Sequence, residues 1–129
     1  MAITGLYAGL AALFLIFLSV RVIGQRRSGK VSVGTGNNAD LERAMRVQAN
    51  FTEYTPLLLI LLGIAELGQL AGPVLHGFGV AIITGRVFHF IGFASPQAPG
   101  RFRVLGMMLT FATLAGLAVV TLGQFAGLF

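Results

Sequence analysis

The sequence predicts an all-α membrane protein, a bundle of four transmembrane helices with both termini on the non-cytoplasmic side, and three observations carry that expectation. Of 129 residues, 56% are hydrophobic and only 10% charged, at a mean hydropathy of +0.87. A soluble domain carries about 25% charged residues, so the surface of one could not be covered here. Four apolar stretches of about twenty residues are each long enough to cross a hydrocarbon core of about 30 Å as a helix. The remainder is too short for a second core, so residues 1–129 are expected to form one domain.

The first helix is expected over about 2–23. No basic segment precedes it and no small-residue cleavage site follows, which reads as a retained span and not a signal peptide. Gly5 and Gly9 form a small-xxx-small pair that admits close helix approach. The polar stretch GQRRSGKVSVGTGNN, 24–38, is a loop, and Asn38 or Asp40 caps the helix that follows. That second helix, about 39–70, is membrane-like only after Pro56, a site for a kink; its first half carries Arg43, Arg46, Asn50 and Glu53. Such a helix starts at the headgroups and sinks inward, leaving its polar residues in one leaflet. The third, about 73–95, carries Arg86 and His89 in an otherwise apolar run. A loop stiffened by Pro96 and Pro99 leads to the fourth, about 104–128, which has no ionisable side chain and offers Gly106, Gly116, Gly123 and Gly127 for packing.

Net charge +5 and a pI near 11.2 would suggest nucleic acid in a soluble protein. Position argues otherwise. Arg21, Arg26, Arg27, Lys30, Arg43 and Arg46 surround the first connection and Arg101 and Arg103 the third, while the second connection, 68–73, has no basic residue. Loops one and three are therefore expected in the cytoplasm, as at an inner (plasma) membrane of bacterial type, and no nucleic-acid partner is expected. Cysteine is absent, which excludes disulfides, thiolate metal sites and a protein-borne cysteine nucleophile. Thiol chemistry would have to come from a ligand. No histidine pair has metal-ligand spacing, so no metal is expected.

Chemistry is concentrated in two stripes. Arg46, Asn50 and Glu53 lie at i, i+4 and i+7 on one helical face, with Tyr54 beside them; Arg86, His89 and Phe93 make a second stripe at the same depth. Ionisable groups inside a span cost about 2.5 to 3.5 kcal/mol each, so several together face partners or a wet cavity. One reading is a buried ion-pair network in which Glu53 pairs with Arg86 or Arg46. The other is a polar cavity for an anionic small molecule, because cations outnumber the single acid and an arginine fork suits carboxylates. Away from the stripes, Glu66 and Gln69 are expected to reach headgroups and His76 to lie at the interface. Tyr7, Thr110, Thr113 and Thr121 are expected to be satisfied by local hydrogen bonds.

The segment 42–59, ERAMRVQANFTEYTPLLL, resembles the second-helix signature of the MAPEG family, membrane-associated proteins in eicosanoid and glutathione metabolism. GRVFH in the third helix and GRFRVLG at the start of the fourth support it, and the likeness is nearest to small bacterial members. The resemblance implies a homotrimer with glutathione, as co-substrate, held between subunits near the cytoplasmic side. It further implies that Arg46, Asn50, Glu53 and Tyr54 contact glutathione, Glu53 taking its ammonium and the arginines its carboxylates. His89 would add a polar contact, Arg86 a structural or carboxylate contact, and Arg26 and Arg27 would lie at the cavity mouth. Arg103, by RxxG spacing, or Arg101, by the preceding Ala-Pro pair, would face the thiol; Arg103 is favoured. The implied activity is a glutathione transferase or peroxidase acting on small apolar electrophiles or hydroperoxides taken from membrane lipid. Phe93 departs from the tyrosine of many synthases, and Ala49 from the arginine of prostaglandin-type members, which argues against a prostaglandin isomerase. A non-catalytic lipid-binding or scaffold member, and a small transporter using Glu53 as its coupling carboxylate, are the alternatives.

Overall fold

A computed structural model describes residues 1–128. It is all-helical among the described residues, with α1 at Ala2–Gly29, α2 at Ala39–Leu67, α3 at Gly72–Ile91 and α4 at Gly100–Phe125. All four are long and apolar enough to span a membrane. α1 packs along α2 and α3 along α4, while α1 and α4 do not touch; α2 and α3 contact every other helix and form the central pair.

Each helix end has a local cause. α1 continues past residue 23 to Gly29, since nothing breaks it until Lys30 adopts a left-handed conformation (φ 54°) and donates its N–H to the Arg26 and Arg27 carbonyls. The two arginines in that last turn complement the negative end of the helix dipole. The loop is thereby shortened. Asn38, not Asp40, is the cap of α2: its Oδ1 accepts from the N–H groups of Asp40 and Leu41, both at 3.0 Å. α2 runs unbroken through Pro56 and stops at Leu67, short of residue 70, where Gly68 and Gln69 turn the chain. α3 ends at Ile91 with Gly92 as its C-cap, and α4 begins at Gly100 after Pro99 as its N-cap; Gly92 lies directly against the backbone of Arg103 with no space for a Cβ. Arg101 and Arg103 therefore sit in the first turn of α4, not in a loop.

Leu58, Leu62, Ala65, Leu75, Ile82 and Leu117 form the main core, and Ala11, Leu18, Val47 and Phe51 a second cluster between α1 and α2. Leu13, Ile16, Val20, Val119 and Leu122 face outward, as expected of surfaces bathed in lipid. The closest helix approach is between α3 and α4: a Cβ on Gly106 would lie 2.6 Å from the His89 nitrogen and 2.7 Å from the Gly85 oxygen. Gly116 likewise packs on Phe78. Gly127, with φ 67°, serves a C-terminal turn, and among the described residues no other helix approaches Gly5 or Gly9.

Glu66 does not reach outward. Its carboxylate accepts from the N–H groups of Ile3 (3.1 Å) and Thr4 (2.8 Å), capping the N-terminus of α1 from the far end of α2. Gln124 of α4 donates to the carbonyls of Ala65 (3.2 Å) and Gly68 (3.1 Å) at the same end. Tyr7 is bonded across helices and not locally, donating to the His76 carbonyl at 3.1 Å with its oxygen 3.0 Å from His76 Nδ1. Thr113 and Thr121 bond to their own helix.

Replacing Gly106 by alanine should push α3 and α4 apart and lower stability by about 1–3 kcal/mol, measured by thermal unfolding in detergent. Removing the long-range cap in Glu66→Ala should cost about 0.5–2 kcal/mol in the same assay.

Candidate functional site

The two polar stripes meet. Residues 46, 50 and 53 of α2 turn toward His89 of α3 and Phe93 in the turn that follows it, and Arg46, Ala49, Asn50, Glu53, His89 and Phe93 line a cavity of about 130 Å³. His89 is otherwise buried and its ring packs on Phe93 at 5.2 Å between centroids. A second chamber of about 240 Å³, lined by Thr35, Glu42, Met45, Arg46 and Ala49, shares Arg46 and Ala49 with the first. Arg46 and Ala49 thus border both.

Arg86 stands behind this cavity, not in its wall. It is among the largest fully buried side chains, at 2% exposure. Nη1 donates to Asn50 Oδ1 at 2.6 Å and to the Asn50 carbonyl at 3.3 Å; Nη2 donates to Thr110 Oγ1 of α4 and lies 3.9 Å from Met107 Sδ. Thr110 in turn donates to the Gly106 carbonyl at 2.7 Å, at the α3–α4 contact. The guanidinium lies 5.7 Å from the Tyr54 ring centroid, and Tyr54 packs edge-on against Phe111. Nε has no partner.

This arrangement differs from an ion-pair network. Among the described residues Glu53 pairs with neither Arg86 nor Arg46; the carboxylate is exposed, and Arg86 is turned toward the neutral oxygens of Asn50 and Thr110. A buried cation surrounded only by neutral acceptors, beside a cavity with one free carboxylate and one free guanidinium, leaves the site net positive.

The remaining basic candidates divide clearly. Arg103 stacks over Phe93, a cavity wall, at 5.0 Å, whereas Arg101 stacks over its own neighbour Phe102 at 5.6 Å, which packs on Phe88. Arg26 is committed to the first loop, donating to the Gly34 carbonyl at 3.0 Å and contacting Met45 Sδ at 3.4 Å. Arg27 is exposed and makes no hydrogen bond among the described residues. Gln48, inside the α2 motif, faces α1 and donates to Ser19 at 2.8 Å. Thr110 makes the local hydrogen bond expected of it, to Gly106 of its own helix, but its second role as acceptor for Arg86, and the approach of Met107, follow only from the α3–α4 crossing. Among the described residues no cluster of three or more His, Asp or Glu side chains could hold a metal ion.

Four membrane-spanning helices with a small cationic cavity between the central pair define a polytopic α-helical membrane protein with a polar site inside the bundle. The chain belongs to the MAPEG family, whose match covers residues 4–123. It is 31% identical over 112 residues to the inner membrane protein YecN of Escherichia coli K12, spanning 87% of this chain and 84% of that protein, and equally similar to YecN of E. coli O6:H1 strain CFT073. It is a multi-pass inner-membrane protein.

Replacing Thr110 by valine removes the acceptor of Arg86 Nη2 and should cost about 1–3 kcal/mol by thermal unfolding. Thr113→Val, which removes only a bond within α4, should cost much less.

Proposed function

We propose that this protein is a membrane-bound glutathione-dependent transferase with peroxidase capacity. The observation that carries the reading is the cavity itself, where Arg46 and Glu53, opposite in charge and both unpaired, sit on one face seven residues apart with Asn50 between them. Such a pair suits a zwitterionic peptide end: the guanidinium forks onto a carboxylate and the carboxylate takes an ammonium. His89 and Tyr54 complete the surroundings of the peptide, with Arg86 behind Asn50 and Arg27 near the mouth.

The cavity of about 130 Å³ is smaller than the about 300–1,000 Å³ of a typical small-molecule site. A homotrimer in which a neighbouring subunit closes the site supplies the missing walls, and Gly5 and Gly9, bare on α1, are available for close helix approach. On the same reading the basic first and third connections lie in the cytoplasm and both termini outside, because cytoplasmic loops collect Lys and Arg.

The thiol-facing group is assigned to Arg103. It lies in the first turn of α4, whose N-terminus has no side-chain cap, so uncapped N–H groups and a guanidinium favour negative charge at the same place. A thiol has a pKa of about 8.5, and lowering it by about two units corresponds to about 2.7 kcal/mol; Arg103 is exposed in the single chain, so on this reading the neighbouring subunit of the trimer shields it from water. The thiolate attacks an electrophilic carbon from the bilayer, forming a C–S bond while the leaving group departs with its electron pair. With a hydroperoxide it attacks the terminal oxygen; the O–O bond breaks, the alkoxide takes a proton, and a second glutathione converts the sulfenic acid to disulfide and water.

Titrating the detergent-solubilised protein with glutathione should give a saturable ultraviolet thiolate signal. Arg103→Ala should abolish that signal and Arg101→Ala should retain it. Binding without thiolate in the unsubstituted protein would indicate a non-catalytic member of the family, and no binding would remove the thiol reading. Arg46→Ala and Glu53→Gln should each weaken binding about tenfold or more.

A further inference from the structure

From the contacts of Arg86 we infer that it is a positioning residue which locks the Asn50 side-chain amide in one orientation, so that Asn50 presents a hydrogen-bond donor to the cavity and reads a carbonyl or carboxylate oxygen of the ligand. The inference rests on the glutathione reading for the ligand's identity, and on the contacts around Arg86 for the lock.

A guanidinium has donors and no acceptor, so only the oxygen of an asparagine amide can face it. Arg86 Nη1 holds Asn50 Oδ1 at 2.6 Å, and the same group also reaches the Asn50 carbonyl at 3.3 Å. Turning the amide over would set NH₂ against NH₂ beside a buried charge, so a single orientation remains. Arg86 cannot swing away: Thr110 of α4 holds Nη2, and the side chain is buried on all sides. Asn50 Nδ2 makes no hydrogen bond among the described residues and is not among the sealed, unpartnered polar atoms, and Asn50 is part of the cavity wall. With Oδ1 held by Arg86, Nδ2 is the amide atom left for the cavity that Asn50 lines. The consequence is a division of labour. Glu53 accepts from the ligand's ammonium, Arg46 donates to a carboxylate, and the locked Asn50 donates to a third, acceptor-type group between them.

The test compares the full-length, solubilised unsubstituted protein with Asn50→Asp, Asn50→Ala, Arg86→Met and the Arg86→Met/Asn50→Ala double variant. Each is assayed for thermal midpoint without ligand and for glutathione affinity by calorimetry. Aspartate keeps an oxygen toward Arg86 but turns an acceptor to the cavity. Asn50→Asp should therefore keep its midpoint while binding glutathione about tenfold or more weakly, and more weakly than Asn50→Ala. Arg86→Met should weaken binding severalfold in the Asn50 background and have no further effect in the Asn50→Ala background, a coupling that a merely structural arginine would not produce. Binding by Asn50→Asp equal to or tighter than that of the unsubstituted protein would overturn the donor role, as would additive losses in the double variant. If the unsubstituted protein binds no glutathione, the thiol reading falls; a retained Asn50→Asp midpoint then still upholds the lock, and a lowered one overturns it.

Discussion

A guanidinium enclosed at the junction of three helices, with neutral oxygens for partners and no carboxylate, organises this structure. Arg86 projects from α3 and is held by Asn50 on α2 and Thr110 on α4. Burying a cation is expensive, and the expense is offset only while every oxygen around it stays in place. Those oxygens depend on helix register. Thr110 reaches Arg86 because α3 and α4 touch at Gly85 and Gly106, where neither has a side chain to hold them apart. A glycine contact with no chemistry of its own thereby sets the geometry of the polar site.

The bundle places its polar work at two separate levels. At the end where α2 meets α3, Glu66 and Gln124 satisfy the termini of neighbouring helices, a carboxylate on the N–H groups of α1 and an amide on the carbonyls of α2. Unsatisfied helix ends are costly near lipid, and these long-range caps remove that cost using side chains from other helices. At the other level Arg46 and Glu53 remain unpaired beside the Arg86 cluster. Two acids of α2 thus have different fates: Glu66 closes the fold and Glu53 stays available to a ligand. In the proposed glutathione site this availability is what leaves room for a zwitterionic guest.

Much was legible without coordinates. Apolar runs of spanning length required four membrane helices, since a chain so poor in charge has no other way to shield its backbone. The 100° periodicity placed Arg46, Asn50 and Glu53 on one face and Arg86, His89 and Phe93 on another; all of these line the cavity except Arg86, which stands behind it, and Phe93 does so from the turn after α3. Helix ends were harder: α1 persists six residues beyond its apolar run because cations at a C-terminus are favourable, a local effect that a hydropathy window does not register.

What the sequence determined by itself is the class of fold and which side chains share a helical face, because each follows from composition or from short-range periodicity along one chain segment; the family was legible only as a resemblance carried by the motif at 42–59. What only the tertiary structure decided is which polar groups satisfy one another. Arg86 faces Asn50 and Thr110 and not Glu53, Glu66 caps α1 and does not reach headgroups, and Arg103, not Arg101, rests on the cavity wall. Hydrogen-bond partners are chosen within a few tenths of an ångström. That choice depends on how helices rotate and cross, which is settled by packing between residues far apart in the chain.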